Sequence, residues 1–338
     1  MLTIYDIAKI TGFSPTTVSK VINNYPDVSD KTRNKIKKAL VESGFKPNAQ
    51  AQFLSTKKTW TIGVVYYEGV GIGLAHPFFS YVIQAFKHRV EEYGYSLLFG
   101  SKTDRLKNST FLEYFKYSRV DGIVIISTEE GNKETEEIIN SDFPCVIIDI
   151  RNNNAATVSS DNEKGCKLAI DYLYELGHRK IAHISGGFGD RNWSSTTRIK
   201  CYKEAMNNLG LNVPNGYIAD GVNFDYSGGY SAMKKLLKLK DRPTAVFAAG
   251  DKLALGAIAA IRDEGMNVPD DFSVIGFDDI ELARYVTPGL TTIRQNSTEL
   301  GRSAADILVE QINQKKKLTV NKVIPVELVK RDSCRKIN

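Results

Sequence analysis

From residue 60 onward the chain alternates between short, almost uninterrupted apolar runs and longer amphipathic stretches. The runs at 62–67, 95–99, 122–126, 144–149, 180–185, 245–249 and 273–277 are rich in β-branched residues and read as strands. A strand with apolar side chains on both faces must be covered on both faces, which demands a parallel sheet between helix layers. The stretches at 79–93, 163–176, 197–209, 228–239, 252–264 and 298–312 carry apolar residues at helical spacing and supply those layers. More than ten such elements exceed one compact sheet, so two α/β subdomains are expected. Ligands of such sheets bind beyond the C-terminal strand ends, which puts a site in the cleft between the two.

The first 58 residues are of another kind. They hold ten Lys/Arg and four Asp/Glu, so they carry the whole net charge of +6, and the remaining residues hold 35 of each sign. A basic head on a neutral body suggests a polyanion as the partner of the head. Thr3 and Asp6 form a capping-box-like start, Ile4, Ile7 and Ala8 share one helical face, and Gly12 closes this first helix. Ser14 is a good N-cap, with Pro15 at the first helical position and Val18, Val21 and Ile22 as the buried stripe. Ser29 caps a third helix with Ile36, Ala39, Leu40 and Ser43 on one face, closed by Gly44. Three short helices with a tight turn at Gly12-Phe13 make a helix-turn-helix layout. An ordinary solvated three-helix bundle is the alternative. The outward residues of the second helix, Pro15, Thr16, Thr17, Ser19, Lys20 and Asn23, are small, polar or cationic, as entry into a major groove requires. Residues 47–55 then begin like a two-turn helix, too short to persist alone in water, with exposed apolar Phe53 and Leu54.

Several function classes find no support. The N-terminus lacks the n-region and h-region of a signal peptide, and no apolar run approaches a membrane span, which predicts a cytosolic protein without a membrane partner. Cys145, Cys166, Cys201 and Cys334 form no Cys-x-x-Cys pair and read as free thiols. The histidines (His76, His88, His178, His183) show no metal-ligand spacing, so neither a metal nor a cofactor is expected. Gly69-Val70-Gly71-Ile72-Gly73 loosely resembles a nucleotide loop, but the third glycine of that fingerprint is misplaced, and a loop at the cleft mouth is the better reading. No catalytic constellation is suggested by spacing, which argues against an enzyme.

Residues 3–58 closely resemble the N-terminus of the lactose-repressor (LacI/GalR) family of bacterial transcription regulators. The resemblance rests on Thr3-Ile4-Tyr5-Asp6-Ile7-Ala8, Thr17-Val18-Ser19-Lys20-Val21-Ile22-Asn23, Val28-Ser29-Asp30-Lys31-Thr32-Arg33 and Gly44-Phe45-Lys46-Pro47-Asn48. It continues with gaps through His76-Pro77-Phe78-Phe79, Asp161-Asn162, Leu176-Gly177-His178-Arg179-Lys180-Ile181-Ala182, Asp251-Lys252-Leu253-Ala254-Leu255-Gly256, Ile275-Gly276-Phe277-Asp278-Asp279 and Leu290-Thr291-Thr292-Ile293. It implies an all-α helix-turn-helix head (1–46), a hinge helix (47–59) and a type I periplasmic-binding-protein-like effector domain (60–338) with three crossovers. The expected division of that body is 60–160 with 289–320 against 161–288 with 321–333.

By resemblance, Pro15, Thr16 and Lys20 set operator choice, with Lys20 donating to guanine and Thr16 meeting thymine. Tyr5, Ser14, Thr17, Ser19, Asn23, Ser29 and Thr32 hold phosphates or fix register. In the hinge, Leu54 is a minor-groove wedge, Ala51 permits close helix approach, Asn48 caps or contacts phosphate, and Gln52 lies on the same segment; a flexible tether is the alternative. Implied effector residues are Arg198, Asp149, Asp278 and Phe224, with Phe78 at the mouth and Trp193 and Ser194 lining the side of Arg198. An Arg fork, two carboxylates and an aromatic plate suit a polyhydroxylated ring. The alternative roles are helix capping for the aspartates, core packing for Phe224 and an interdomain salt bridge for Arg198. The chain departs from the family at Cys201, where Gly is usual, and at Gly250, where a polar residue is common before Asp251. The expected function is an operator-binding repressor of palindromic DNA, controlled allosterically by a small sugar. A corepressor-dependent or nucleoside-responsive regulator is the alternative, and a transport solute-binding protein would lack the head. Without a leucine heptad tail, a homodimer is expected.

Overall fold

The computed structural model describes residues 2–23, 25–45, 58–66, 73–100, 109–127, 131–150, 152–188 and 193–337. The hinge residues Asn48, Ala51, Gln52 and Leu54, and the loop residues 69–72, lie outside the described residues. The chain divides into two compact units, Met1–Thr61 and Ile62–Asn338.

The first unit holds α1 (Ile4–Thr11), α2 (Pro15–Ile22) and α3 (Asp30–Glu42). The local signals act as expected. Thr3 and Asp6 form a full capping box on α1, with the Thr3 N–H donating to Asp6 Oδ2 at 2.8 Å. Gly12 ends α1 at φ 77°, a left-handed conformation that an L side chain resists. Ser14 accepts from Thr17 N–H and Ser29 from Thr32 N–H, starting α2 and α3. Ile7, Ala8, Val18, Val21 and Ile36 make the buried core, with Phe13, Leu40 and Phe45 packed around it.

The second unit contains two six-stranded sheets among its described residues. The first has strand order β11-β5-β4-β3-β1-β2, from β1 (Thr61–Tyr66), β2 (Ser96–Phe99), β3 (Gly122–Ile126), β4 (Cys145–Ile148), β5 (Ala156–Ser160) and β11 (Asn321–Ile324). The second has order β12-β10-β9-β8-β6-β7, from β6 (Ile181–Ser185), β7 (Ile218–Asp220), β8 (Ala245–Ala248), β9 (Ser273–Asp278), β10 (Thr291–Gln295) and β12 (Val326–Val329). Every described pairing is parallel except β10 with β12. The central strands β3, β4 and β8 are buried along their whole length, as their unbroken apolar runs require.

The helices are α4 (Phe79–Glu92), α5 (Phe111–Tyr117), α6 (Lys133–Asn140), α7 (Asn162–Glu175), α8 (Trp193–Asn208), α9 (Tyr226–Leu237), α10 (Asp251–Asp263) and α11 (Ser297–Gln314). The chain passes between the sheets after β5, after β10 and between β11 and β12. This corrects the expected division of the body at two places. Residues 291–295 belong to the second sheet, because β10 is hydrogen-bonded between β9 and β12 and is buried there. Residues 321–324 belong to the first, because β11 pairs its backbone with β5, and Thr157 Oγ1 donates to Asn321 at 2.6 Å. β11 is mostly exposed, so hydrogen bonding rather than apolar burial fixes its place.

Candidate functional site

The polar residues of the body converge where strands of both sheets end. Asp149 follows β4, Asp278 ends β9, and Ala249 and Gly250 follow β8. Phe224 immediately precedes Asp225, the N-cap of α9, whose side chain accepts from Gly228 N–H at 2.6 Å. Asp149, Phe224 and Asp278 all have positive φ, at 68°, 55° and 117°. Non-glycine residues are rarely held this way, and such strain gathers at ligand sites.

Arg198 lies at the centre, on α8, and is almost fully buried. Its guanidinium carbon is 3.7 Å from the centroid of the Phe277 ring and 6.0 Å from that of Phe224. Nε donates to Asn162 Oδ1 at 2.8 Å, and a terminal nitrogen donates to the Ala249 carbonyl at 2.5 Å. Two of the five N–H donors of the fork are thus committed to fixing its plane. The Phe224 ring lies directly over Gly186: a Cβ there would come within 1.9 Å of the ring, so only glycine leaves the seat open. A Cβ on Gly250 would meet the same ring at 3.2 Å, which gives the departure at this position a packing reason.

The two acids flank this cation. Ser194 Oγ donates to Asp149 Oδ2 at 2.9 Å, and Gln295 Nε2 donates to Asp278 Oδ1 at 2.6 Å. Burial raises the Asp149 carboxyl above its ordinary range, with Arg198 and Ser194 opposing. Burial pushes Asp278 up to about 7, against Arg198 and Gln295, while the Asp149 charge adds to the rise. Asp251, at the start of α10, is wholly buried and is also raised well above the ordinary carboxyl range, by burial first and Asp278 second. It is structural: it accepts from Ile280 N–H at 2.8 Å and from the Thr292 hydroxyl at 2.5 Å, joining α10 to the segment after β9 and to β10. Neighbouring Asp279 is the reverse case. Burial alone would raise it, but Arg294 and Arg331, each bonded to it at 2.6 Å, outweigh that and hold it low.

Phe78, also buried, lines with Pro77 and Tyr81 a pocket of about 310 Å³ that reaches Asp278, Gln295 and Ser297. Two acceptors at the strand ends are buried and unpartnered: Gln295 Oε1 and Ser160 Oγ. Thus Asp149, Ser194, Arg198, Phe224 and Asp278 come together, and Phe78 borders the pocket beside Asp278. Trp193 opens α8 half-buried, and its described bond is local, from the Thr196 hydroxyl to its carbonyl. Asn162, Phe277, Gln295 and Ser160 were missed as site residues. Asn162 carried a signal in the Asp161-Asn162 motif; Phe277 read only as strand core.

In the first unit, Tyr5 is 71% exposed, and Thr16 is exposed on α2. Ser14, Thr17, Ser29 and Thr32 take part in helix caps, and Asn23 Nδ2 donates to Ser19 at 3.4 Å. Pro15 occupies the first position of α2. Lys20 is ion-paired with Asp27, a partner that helix spacing alone did not suggest.

Residues 3–48 match the family described as bacterial regulatory proteins, lacI family, and residues 170–334 match the periplasmic binding protein-like domain. The chain is 35% identical over 343 residues to the HTH-type transcriptional repressor PurR of Vibrio vulnificus, covering 100% of both chains. It is 36% identical over 319 residues to the ribose operon repressor of Escherichia coli, covering 93% of this chain and 94% of that one. The chain belongs to the LacI family. Among solved structures of this family, the lac repressor dimer bound to operator and the anti-inducer ONPF superposes with a TM-score of 0.81, at 28% identity and 99% coverage of both chains. A LacI family regulator from Enterococcus faecium with bound ribose gives a TM-score of 0.69, at 26% identity, over 82% of this chain and 100% of that one. As a LacI-family member the protein is a DNA-binding transcriptional repressor under small-molecule control, not an enzyme. The lacI-family match spans the three described helices of the first unit. No helix among the described residues is long and apolar enough to cross a membrane.

Proposed function

We propose that the small molecule is a sugar, held between the two sheets by Arg198, Asp149 and Asp278 with Phe224 as its stacking plate. The observation that carries this is the excess of acceptors: two carboxylates and the unpartnered Gln295 Oε1 around a single guanidinium. A ligand that satisfies them must be rich in hydroxyl donors and must present an apolar face to an aromatic ring. The protein acts in the cytoplasm as a homodimer on a palindromic operator, with Thr16, Pro15 and Lys20 of α2 facing base edges. Tyr5, Ser14, Thr17, Ser19, Asn23, Ser29 and Thr32 serve the phosphates, and Asn48, Ala51, Gln52 and Leu54 form the minor-groove hinge. Sugar binding favours the state that holds DNA poorly, so the ligand is an inducer.

Titration calorimetry with D-ribose, other monosaccharides and disaccharides, against purine bases and nucleosides, tests the ligand class. Binding of a sugar, weakened when Asp278 is replaced, is expected. Binding of purines alone would refute the sugar reading. Gel shift on a palindrome selected from random DNA, with and without the sugar that binds, gives the sign.

A further inference from the structure

We propose that Asp27 is a specificity-determining residue of the DNA-binding head: its carboxylate holds the Lys20 ammonium off the phosphate backbone and leaves the remaining N–H donors for acceptors on a base. The first half of this statement needs only that the head binds DNA. The second rests on the reading of Lys20 as a base-facing residue.

Lys20 lies in the last turn of α2, one turn beyond Thr16 and on the same side of the helix. No residue of α2 is acidic, so the helix itself offers the ammonium no counter-charge. The partner comes from the turn between α2 and α3, where Asp27 Oδ2 accepts from Lys20 Nζ. That turn is held from both sides. Tyr25 N–H donates to the Lys20 carbonyl at 2.9 Å, and Arg33 of α3 donates to the Tyr25 carbonyl at 2.6 Å and to the Val28 carbonyl at 3.4 Å. Val28 packs against the buried core of the head. The carboxylate is therefore a fixed post, and the lysine, on its flexible four-carbon stem, is the movable member.

The other acids of the head have helical duties. Asp6 completes the capping box of α1, Asp30 sits in the first turn of α3, and Glu42 is 3.8 Å from Lys38 one turn back on α3. Asp27 caps none of the described helices. Its pair with Lys20 is open to solvent, with 41% of the lysine side chain and 51% of the aspartate exposed, and such pairs add little to stability. A carboxylate beside a surface that meets a polyanion also weakens binding to every DNA sequence. Its effect on Lys20 is what offsets that loss. A free lysine is a mobile point charge that any phosphate oxygen can take, and phosphate contacts carry no sequence information. Bonded to Asp27, the ammonium has its charge balanced and one of its three N–H donors occupied. The same bond keeps the Asp27 carboxyl below its ordinary range, so the post stays charged. Two donors remain, enough for O6 and N7 of one guanine.

The test measures binding of the full-length protein, without added sugar, to a fluorescent duplex of scrambled sequence. Anisotropy is read between about 50 and 200 mM salt, and base preference is read by binding-site selection. In Asp27→Asn the plot of log affinity against log salt should steepen by about 0.9 per head, as one more phosphate contact releases its counterion. Selection should relax about threefold or more at one base pair per half-site, the pair that Lys20→Ala also relaxes. In a Lys20→Ala background, Asp27→Asn should change neither quantity. Thermal melting of Asp27→Asn should match the wild type, which separates these effects from unfolding of the head. An unchanged slope overturns the proposal. So does a steeper slope that persists in the Lys20→Ala background, because the acid would then act by repelling the duplex and not through Lys20. If Lys20→Ala relaxes a base pair that Asp27→Asn leaves sharp, the specificity half is overturned. If Lys20→Ala relaxes none, the base-facing reading of Lys20 fails by itself and takes the specificity half with it, while the slope still decides the shielding half.

Discussion

Replacing Asp278 by Asn should make the protein more stable and less responsive at the same time. In the folded chain this carboxyl sits at about 7, raised by burial from an ordinary 3.8. A group whose folded value lies above its unfolded value favours folding only while protonated, and that advantage is lost as pH climbs from the unfolded value through the folded one. At pH 5 the charge-burial cost is about 1.5 kcal/mol, and at pH 8 about 4 kcal/mol, from ~1.4 kcal/mol per unit of pKa difference. Asn keeps an oxygen for the Gln295 amide, tolerates the positive φ at this position, and carries no charge. The variant should therefore gain about 2 to 3 kcal/mol more over wild type at pH 8 than at pH 5, a melting-temperature difference of roughly 5 °C or more for a body of this size. Because a hydroxyl bonded to a charged carboxylate is worth about 1.5–3 kcal/mol, sugar affinity should drop between tenfold and a hundredfold at pH 8. Differential scanning fluorimetry across pH 5–8 and calorimetry at pH 8 make the two measurements. A gain in stability that does not depend on pH, or an unchanged sugar affinity, refutes the reasoning.

Other perturbations bear on separate parts of the molecule. Lys20→Ala should relax discrimination at one base pair per half-site by about 1–3 kcal/mol, read by binding-site selection; a uniform loss across all sequences would assign Lys20 to the phosphates instead. Gly186→Ala should push the Phe224 ring off its seat and cut sugar affinity about tenfold, since overpacking of this kind costs about 1–3 kcal/mol, while operator binding without sugar stays intact. Asp279→Asn should destabilise by about 2–3 kcal/mol in urea unfolding at pH 7, because two arginines lose their shared carboxylate. Asp279 is held low in the folded state, so its contribution is present above the unfolded value and fades as pH falls through the folded one. The gap between wild type and variant should narrow toward pH 3, and a constant gap would locate the loss elsewhere.

What could be read from the sequence was what is local. Thr3, Ser14 and Ser29 act on the next three residues and Gly12 on the four before it, so the head's helices start and end where their caps say. Central strands such as β3 and β8 announce themselves because burial on both faces leaves no room for a polar residue. Edge strands obey a weaker rule. β7 has three residues, and β11 is polar and mostly exposed, so each is defined by the backbone it pairs with rather than by its side chains. The helices α5 and α6 span only two turns each and gave too short a pattern to recognise. The division of the body failed because pairing, not side-chain pattern, decides which sheet a late strand joins: β11 joins β5, well over a hundred residues away, while β10 sits between β9 and β12. In the cleft, family motifs carried Arg198, Asp149, Asp278 and Phe224. Gln295 acts only through a tertiary neighbour, and nothing in its immediate surroundings marks an amide that aims a carboxylate; the Asp161-Asn162 motif flagged Asn162 but not the guanidinium it holds.

The placement of β11 and β12 has a consequence for how the protein comes into being. These two strands are separated by Pro325 alone and lie in the last twenty residues, yet each closes the edge of a different sheet. While the ribosome still holds that segment in its exit tunnel, β5 and β10 each present an unpaired backbone edge, the kind of surface on which nascent chains stick to one another. Neither half of the body matures before the other, and a premature stop codon anywhere upstream of residue 321 leaves both unfinished.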